Sequence, residues 1–413
     1  MRRIIATLDV GSNSIKLVVG EIYKNKLNIL AALEVPSRGI KKGYVVNPES
    51  TIEALKELFD KAYDMIGIKV SKVIVNVPAF NTECFMAEGK TTITSENKVI
   101  KSSDIVSCMQ ACVYNQIASN KELVSVIPTF FNVNGETTKN PLNMIGENLL
   151  VKSVIVTIPK KNVSGIVYCL QKIGIETIDI TISALGDYYE YKIKDYNKQV
   201  GAIVNIGDAT TTVSIINRGV LTKCEVLEIG GSNIDNDLAY VYKLTKGDAK
   251  TIKEKLALAH DRLAQPNEYM IFTDKTGSDV KINQYNASEI VKSRIEEILN
   301  LAKKQINLLT KKEISYIILT GGLTEITDFE LVLEEIFGPK AEVKRVYEIG
   351  VRDNKYSTAV GMIKYYNSRL KLRNKDFSIF NLEEQEELSG LTKKTNLSDN
   401  SLLGKLFGYF FDN

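Results

Sequence analysis

One short pattern occurs twice in this chain, far apart. Leu8-Asp9-Val10-Gly11-Ser12 returns as Val204-Asn205-Ile206-Gly207-Asp208, each time an apolar residue, a polar one, an apolar one, glycine and a polar residue. The surroundings match as well. Ile4, Ile5, Leu8 and Val10 read as a strand, Gly11-Ser12-Asn13-Ser14 as a turn, and 15–22 and 27–35 as two further strands. In the second copy 200–206 is a strand, Gly207-Asp208-Ala209-Thr210 a turn, and 211–216 and 220–227 are strands. Repetition of a whole strand–turn–strand unit predicts a duplicated domain. It also excludes Rossmann and P-loop folds, in which a helix follows the glycines.

The rest of the chain alternates between helical and strand-like stretches, an α/β pattern. Ile52, Leu55, Leu58, Phe59 and Ala62 have helical spacing, and the strand 73–77 stops at Pro78. Residues 80–160 carry a pattern of their own and read as an insertion. A helix over 161–173, a strand over 175–182 and a helix opening with Ser183-Ala184-Leu185-Gly186 lead to the second copy. Beyond Gly230-Gly231 come a helix, a highly charged helix over 247–262, a small β segment, a long amphipathic helix over 287–309, and a buried-type strand ending in Thr320-Gly321-Gly322. The last core helix, 355–370, carries Ala359-Val360-Gly361. Residues 373–400 are polar and read as a disordered linker.

The balance of 53 basic and 50 acidic residues in 413 gives no electrostatic footprint for nucleic acid. No apolar run reaches the length of a membrane-spanning helix. The start, Met1-Arg2-Arg3-Ile4-Ile5, runs into a strand rather than a signal peptide, so a cytoplasmic location is expected. Cys84, Cys108, Cys112, Cys169 and Cys224 include no CxxC pair and read as small buried apolar residues. The sole histidine, His260, lies in the charged helical stretch, which argues against histidine-based nucleophilic catalysis and excludes a multi-histidine metal site.

Three glycine turns remain as candidates for chemistry: Gly11-Ser12-Asn13-Ser14, Gly207-Asp208-Ala209-Thr210 and Thr320-Gly321-Gly322. Glycine lets a backbone approach phosphate closely, and successive amides form an anion nest. With these motifs in this order, the sequence resembles the actin/Hsp70/sugar-kinase ATPase superfamily and, within it, the FtsA family of bacterial cell division, over nearly the whole chain. The resemblance implies an actin-like duplicated ribonuclease-H-type fold with two inserted small subdomains and a C-terminal amphipathic helix. The first half would comprise 1–79 and 161–198, and the second 199–240 and 311–372. The insertions would be 80–160 and 241–310, followed by the linker 373–400 and the helix 401–413.

By the same resemblance ATP would be held by Gly11, Ser12, Asn13, Ser14 and Lys16 on one side and by Gly207, Asp208 and Thr210 on the other. Gly230 and Gly231 open the helix beyond, Gly321 and Gly322 lie under the adenosine, and Lys253 lies near the base. Asp9 would orient magnesium through water. Ala184 with Gly186, and Ala359 with Gly361, match two connecting helices that act as a hinge. Three departures stand out: Lys250 replaces a family glutamate, Asp208 replaces a preferred glycine, and Asn205 replaces a superfamily aspartate. Asparagine is neutral and is no base, so ATP binding with at most weak hydrolysis is expected, and no catalytic residue is assigned.

Leu402, Leu403, Leu406, Phe407, Phe410 and Phe411 share one helical face, as in a peripheral membrane helix. Each buried side chain there contributes about 1.5–3 kcal/mol. The FtsA likeness implies self-assembly into filaments and contact with other division proteins. It places Lys292, Arg294 and Glu297 in a groove for the C-terminal tail of FtsZ, at the cytoplasmic face of the membrane at the division site. The alternatives are a pilus-assembly actin-like adaptor and a soluble sugar or acetate kinase of the same superfamily.

Overall fold

The computed structural model describes residues 2–395. Strands β1 (Arg3–Val10) and β2 (Ser14–Tyr23) form an antiparallel hairpin, which β3 (Lys26–Pro36) extends. β1 and β2 are buried almost residue for residue, so their sequences run apolar instead of alternating. A tiny hairpin, β4 (Ile40–Lys41) with β5 (Tyr44–Val45), precedes helix α1 (Pro48–Ile66). The Asn47 side chain caps α1 by accepting from the Ser50 N–H, and Gly67, at a φ of 78°, ends it by donating to the Tyr63 carbonyl. β6 (Lys72–Asn76) pairs parallel with β1, and β11 (Glu176–Thr181) pairs parallel with β6, giving the order β11-β6-β1-β2-β3.

Between β6 and β11 the chain builds a separate sheet from β7 (Glu83–Thr92), β8 (Lys121–Val133), β9 (Glu136–Thr138) and β10 (Asn148–Pro159), in the order β7-β10-β8-β9. Helix α2 (Ser102–Val113) packs on it over a cluster of its own that includes Ile105, Cys108, Phe131 and Val151. Helix α3 (Lys161–Lys172) returns the chain to the first sheet.

The second sheet repeats the first. β12 (Val200–Ile206), β13 (Thr211–Asn217) and β14 (Val220–Leu227) are antiparallel, and β17 (Tyr316–Thr320) and β18 (Ala341–Val343) add in parallel, in the order β14-β13-β12-β17-β18. The repeat holds in register: Asp9 faces Lys16 and Asn76, as Asn205 faces Thr212 and Thr320. Helices α5 (Gly231–Val241), α6 (Lys246–Lys255), α7 (Gln284–Leu309) and α8 (Phe329–Phe337), with the hairpin β15 (Tyr269–Thr273) and β16 (Asp279–Asn283), share one apolar core with this sheet.

Two helices join the halves. α4 (Ser183–Tyr191) leads from the first sheet to the second, and α9 (Ser357–Leu372) leads back. They cross where a Cβ on Gly361 would overlap the Gly186 carbonyl and one on Gly186 would lie 2.7 Å from the Thr358 carbonyl.

Two expectations are corrected. The charged helix ends at Lys255, not near 262, and His260 is buried, with Nδ1 accepting from the Arg262 N–H and Nε2 beside Glu335. The stretch expected as a disordered linker over 373–400 carries docked structure over 373–395, and 396–400 lie outside the described residues. Ile379 and Phe380 are buried, the Ile379 N–H donates to the Ile4 carbonyl, and Asp376 pairs with Arg3. Helix α10 (Leu382–Thr395) follows, with Asn381 and Glu384 exchanging cap hydrogen bonds. A few apolar anchors in a polar stretch suffice to seat it. The expected membrane face, Leu402 to Phe411, lies outside the described residues.

Candidate functional site

The turns after β1 and β12 and the turn after β17 meet in one cleft between the halves, with a volume of about 560 Å³. In the first turn the Gly11 N–H donates to the Ser14 carbonyl at 3.2 Å, and a Cβ on Gly11 would stand 2.8 Å from that oxygen. In the second the Gly207 N–H donates to the Thr210 carbonyl at 2.9 Å. Ser232 fixes that loop from below, its N–H and its hydroxyl both donating to the Asp208 carbonyl. Gly321 has a φ of 95°, and a Cβ there would lie 2.5 Å from Asn205 Oδ1. In the first and third loops the backbone comes too close for a larger residue, while a Cβ on Gly207 would stand 3.2 Å from the Thr210 carbonyl.

The cleft is lined by Asp9, Gly11, Ser12, Asn13, Ser14, Lys16, Gly207, Asp208, Thr210, Gly231, Lys253, Gly321 and Gly322. Gly230 lies one layer behind, where a Cβ would press on the Gly207 and Asp208 carbonyls at 2.6 Å. The Asp9 carboxylate accepts from Asn76 Nδ2 at 2.7 Å and faces Lys16 Nζ at 3.6 Å. Asn76 Oδ1 is buried beside it with no hydrogen-bond partner. On the other wall Lys253 is buried, bound to Asp235 at 2.7 Å and to the Gly231 carbonyl at 3.2 Å. Burial pushes the Asp235 carboxyl above its usual range, against the pull of Lys253.

Several cleft residues carry no sequence signal, because their neighbours are distant in the chain. Asn76 comes from β6, Glu34 from β3, and Ser357 and Thr358 from the start of α9. Lys250 reaches across the cleft, its Nζ donating to Asn13 Oδ1 at 2.8 Å and facing Glu254 at 3.8 Å. Two further contacts bridge the halves, Lys42 to Glu228 and Lys355 to Glu34. Beneath Asn205 sits Asp187 of α4, fully buried, whose carboxylate accepts from Asn205 Nδ2 at 2.7 Å, Thr358 Oγ1 at 2.8 Å and Ser357 Oγ at 3.2 Å. Burial raises its pKa to about 7, opposed by these hydrogen bonds.

A family model described as "Cell division protein FtsA" matches residues 202–361, and one described as "SHS2 domain inserted in FTSA" matches residues 81–157. The two stretches span more than half of the chain. The chain belongs to the FtsA family. FtsA of Bacillus subtilis is 28% identical over 378 residues, covering 90% of this chain and 86% of its own. FtsA of Enterococcus hirae is 26% identical over 362 residues, with coverages of 87% and 82%. The fold is that of solved actin-like proteins. A PilM-PilN type IV pilus biogenesis complex superposes with a TM-score of 0.57 at 15% identity, over 87% of this chain and 98% of that one. MreB5 of Spiroplasma citri bound to ADP gives 0.56 at 14% identity, over 90% and 99%.

Within this FtsA-family frame the separate four-stranded sheet with α2 coincides with the SHS2 match. The three residues expected to line one groove on α7 do not share a face. Arg294 binds both carboxylate oxygens of Asp237 on α5 and reaches Glu297, whereas Lys292 binds Asp261 at 3.1 Å on the opposite flank. Two residues apart on a helix is a rotation of about 200°. Among the described residues no helix is long and apolar enough to cross a membrane.

Proposed function

We propose that this protein binds ATP with magnesium in the cleft, assembles with copies of itself, and holds FtsZ filaments at the inner face of the cell membrane at the division site. The observation that carries the nucleotide reading is the convergence of three glycine turns from two duplicated halves on one cleft with Lys16 and Lys253 in its walls. With Gly11 and Gly207 closing their turns, the backbone amides of 12–14 and 208–210 would cradle the phosphates, and Gly321 and Gly322 would lie under the nucleoside. Magnesium takes one or two carboxylates and keeps several waters. Asp9, with the unpartnered Asn76 Oδ1 beside it, fits that demand. The ion would neutralise phosphate charge that Asp208 otherwise opposes. Asn205 supplies no base, so turnover is weak at most.

The cell-division role is that of the family. Filament formation, capture of the FtsZ tail, recruitment of further division proteins, and membrane attachment through Leu402, Leu403, Leu406, Phe407, Phe410 and Phe411 extend it to this chain. Many such tails on one polymer would bind by avidity. Co-sedimentation with lipid vesicles tests this, comparing the intact chain with one ending at Asn400, each with and without ATP and FtsZ. The expected result is pelleting of the intact chain alone, strengthened by ATP and carrying FtsZ down. If both chains stay in the supernatant throughout, the tethering reading is wrong.

A further inference from the structure

Asn205 occupies the strand end from which the resemblance expects a carboxylate. The structure holds a carboxylate one layer below, on a different element. Asp187 is inaccessible to solvent, and its hydrogen bonds form a closed set. Asn205 Nδ2 donates to Asp187 Oδ2 at 2.7 Å and to Thr358 Oγ1 at 3.2 Å, while the Thr358 hydroxyl donates to Asp187 Oδ1. Ser357 donates to the same oxygen. Both amide hydrogens are thereby spent below the cleft floor, which fixes the amide orientation. The remaining atom, Oδ1, lies at the Gly321 turn, where a Cβ would come within 2.5 Å of it. Among the described residues no side chain donates to that oxygen.

We propose that Asp187 is a positioning residue for the cleft: it holds the Asn205 amide with its carbonyl oxygen turned to the ligand and ties that strand end to the crossing of α4 and α9. The inference rests on the nucleotide reading of the cleft. An acceptor oxygen at this point would receive a hydrogen of a water held by magnesium or phosphate. A reversed amide would present its NH2 group there instead, opposing such water. Because Asp187 also binds Ser357 and Thr358 at the start of α9, the same carboxylate joins the floor of the cleft to both hinge helices.

The arrangement makes two substitutions depend on each other. Asn205→Asp alone sets two carboxylates at the 2.7 Å contact, and such a pair must share a proton. Asp187→Asn alone leaves an oxygen for Ser357 and Thr358 but turns an NH2 toward Asn205, whose own amide must then reverse. Making both changes restores a donor facing an acceptor and moves the charge up to the cleft.

The test uses the full chain and two readouts: affinity for a fluorescent ATP analogue with and without magnesium, and melting temperature at pH 8 without nucleotide. Asp187→Asn is expected to reduce the magnesium-dependent gain in affinity about tenfold, the scale of one charge-assisted hydrogen bond. Asn205→Asp lowers the melting temperature, and the double variant recovers it together with the magnesium dependence. Unchanged magnesium dependence in Asp187→Asn, or additive melting shifts with no recovery in the double variant, overturns the proposal. A wild-type chain that binds no nucleotide in either condition overturns the reading of the cleft, and the pair then stands or falls on the melting temperatures alone.

Discussion

At the scale of single residues the cleft depends on charges taken out of water together with their partners. Lys253 and Asp235 are both nearly inaccessible, and removing one partner of a buried pair leaves the other uncompensated. Lys253→Ala is therefore expected to cost about 3 kcal/mol of stability, measured by denaturant unfolding, and Lys253→Ala with Asp235→Asn should recover part of it. Outside the cleft, on α4, burial raises the Glu190 carboxyl from 4.5 to about 7, against the pull of Lys364 and with the support of Glu348. A carboxyl with a raised folded pKa binds its proton more tightly in the native state. Its contribution is full below 4.5 and is lost as pH rises through about 7. Glu190→Gln should flatten the fall in melting temperature across that window, and an unchanged profile would show that Lys364 compensates the charge fully.

At the scale of elements, the inserted sheet shows how one glycine admits a helix. A Cβ on Gly89 of β7 would overlap the Cys108 carbonyl of α2 and stand 2.9 Å from the Cys112 thiol. The Cys108 thiol in turn donates to the Gly89 carbonyl at 3.3 Å, and burial pushes its pKa up to about 12. The thiol is thus an inert packing group, as expected for a buried cysteine. Gly89→Val should lift α2 from its sheet, costing about 1–3 kcal/mol as overpacking does. The signature would be faster reaction of Cys108 and Cys112 with a thiol reagent in the native state, while Cys169 and Cys224 stay as slow as before.

At the scale of the whole molecule, the halves are joined by the α4–α9 crossing, by a buried apolar cluster in which Cys224 and Val226 of β14 lie with Val154 and Val156 of β10, and by contacts over the mouth of the cleft, Lys250 to Asn13, Lys42 to Glu228 and Lys355 to Glu34. The mouth contacts are largely solvated and are worth about 0–1 kcal/mol each, so the buried joints, the crossing and the shared apolar cluster, set the angle between the halves. Gly361→Val cannot be seated without moving Gly186, a backbone group. The expected outcome is a changed scattering profile, while each sheet keeps its circular-dichroism signal. The sequence by itself determined the duplication, the three glycine turns and the insertion before the second copy. These rest on local chemistry: strand periodicity, and glycine where a backbone must turn or come close. Only the tertiary structure decided that Asn76 holds Asp9, that Lys253 is buried against Asp235, that His260 lies inside, and that Ile379 and Phe380 seat the segment after α9. The same holds for Asp187 beneath Asn205 and for the pairing of Arg294 with Asp237. Those pairings join residues far apart in the chain through sheet register and helix crossing, and a carboxylate on α4 reads as an ordinary polar residue until the fold takes its water away.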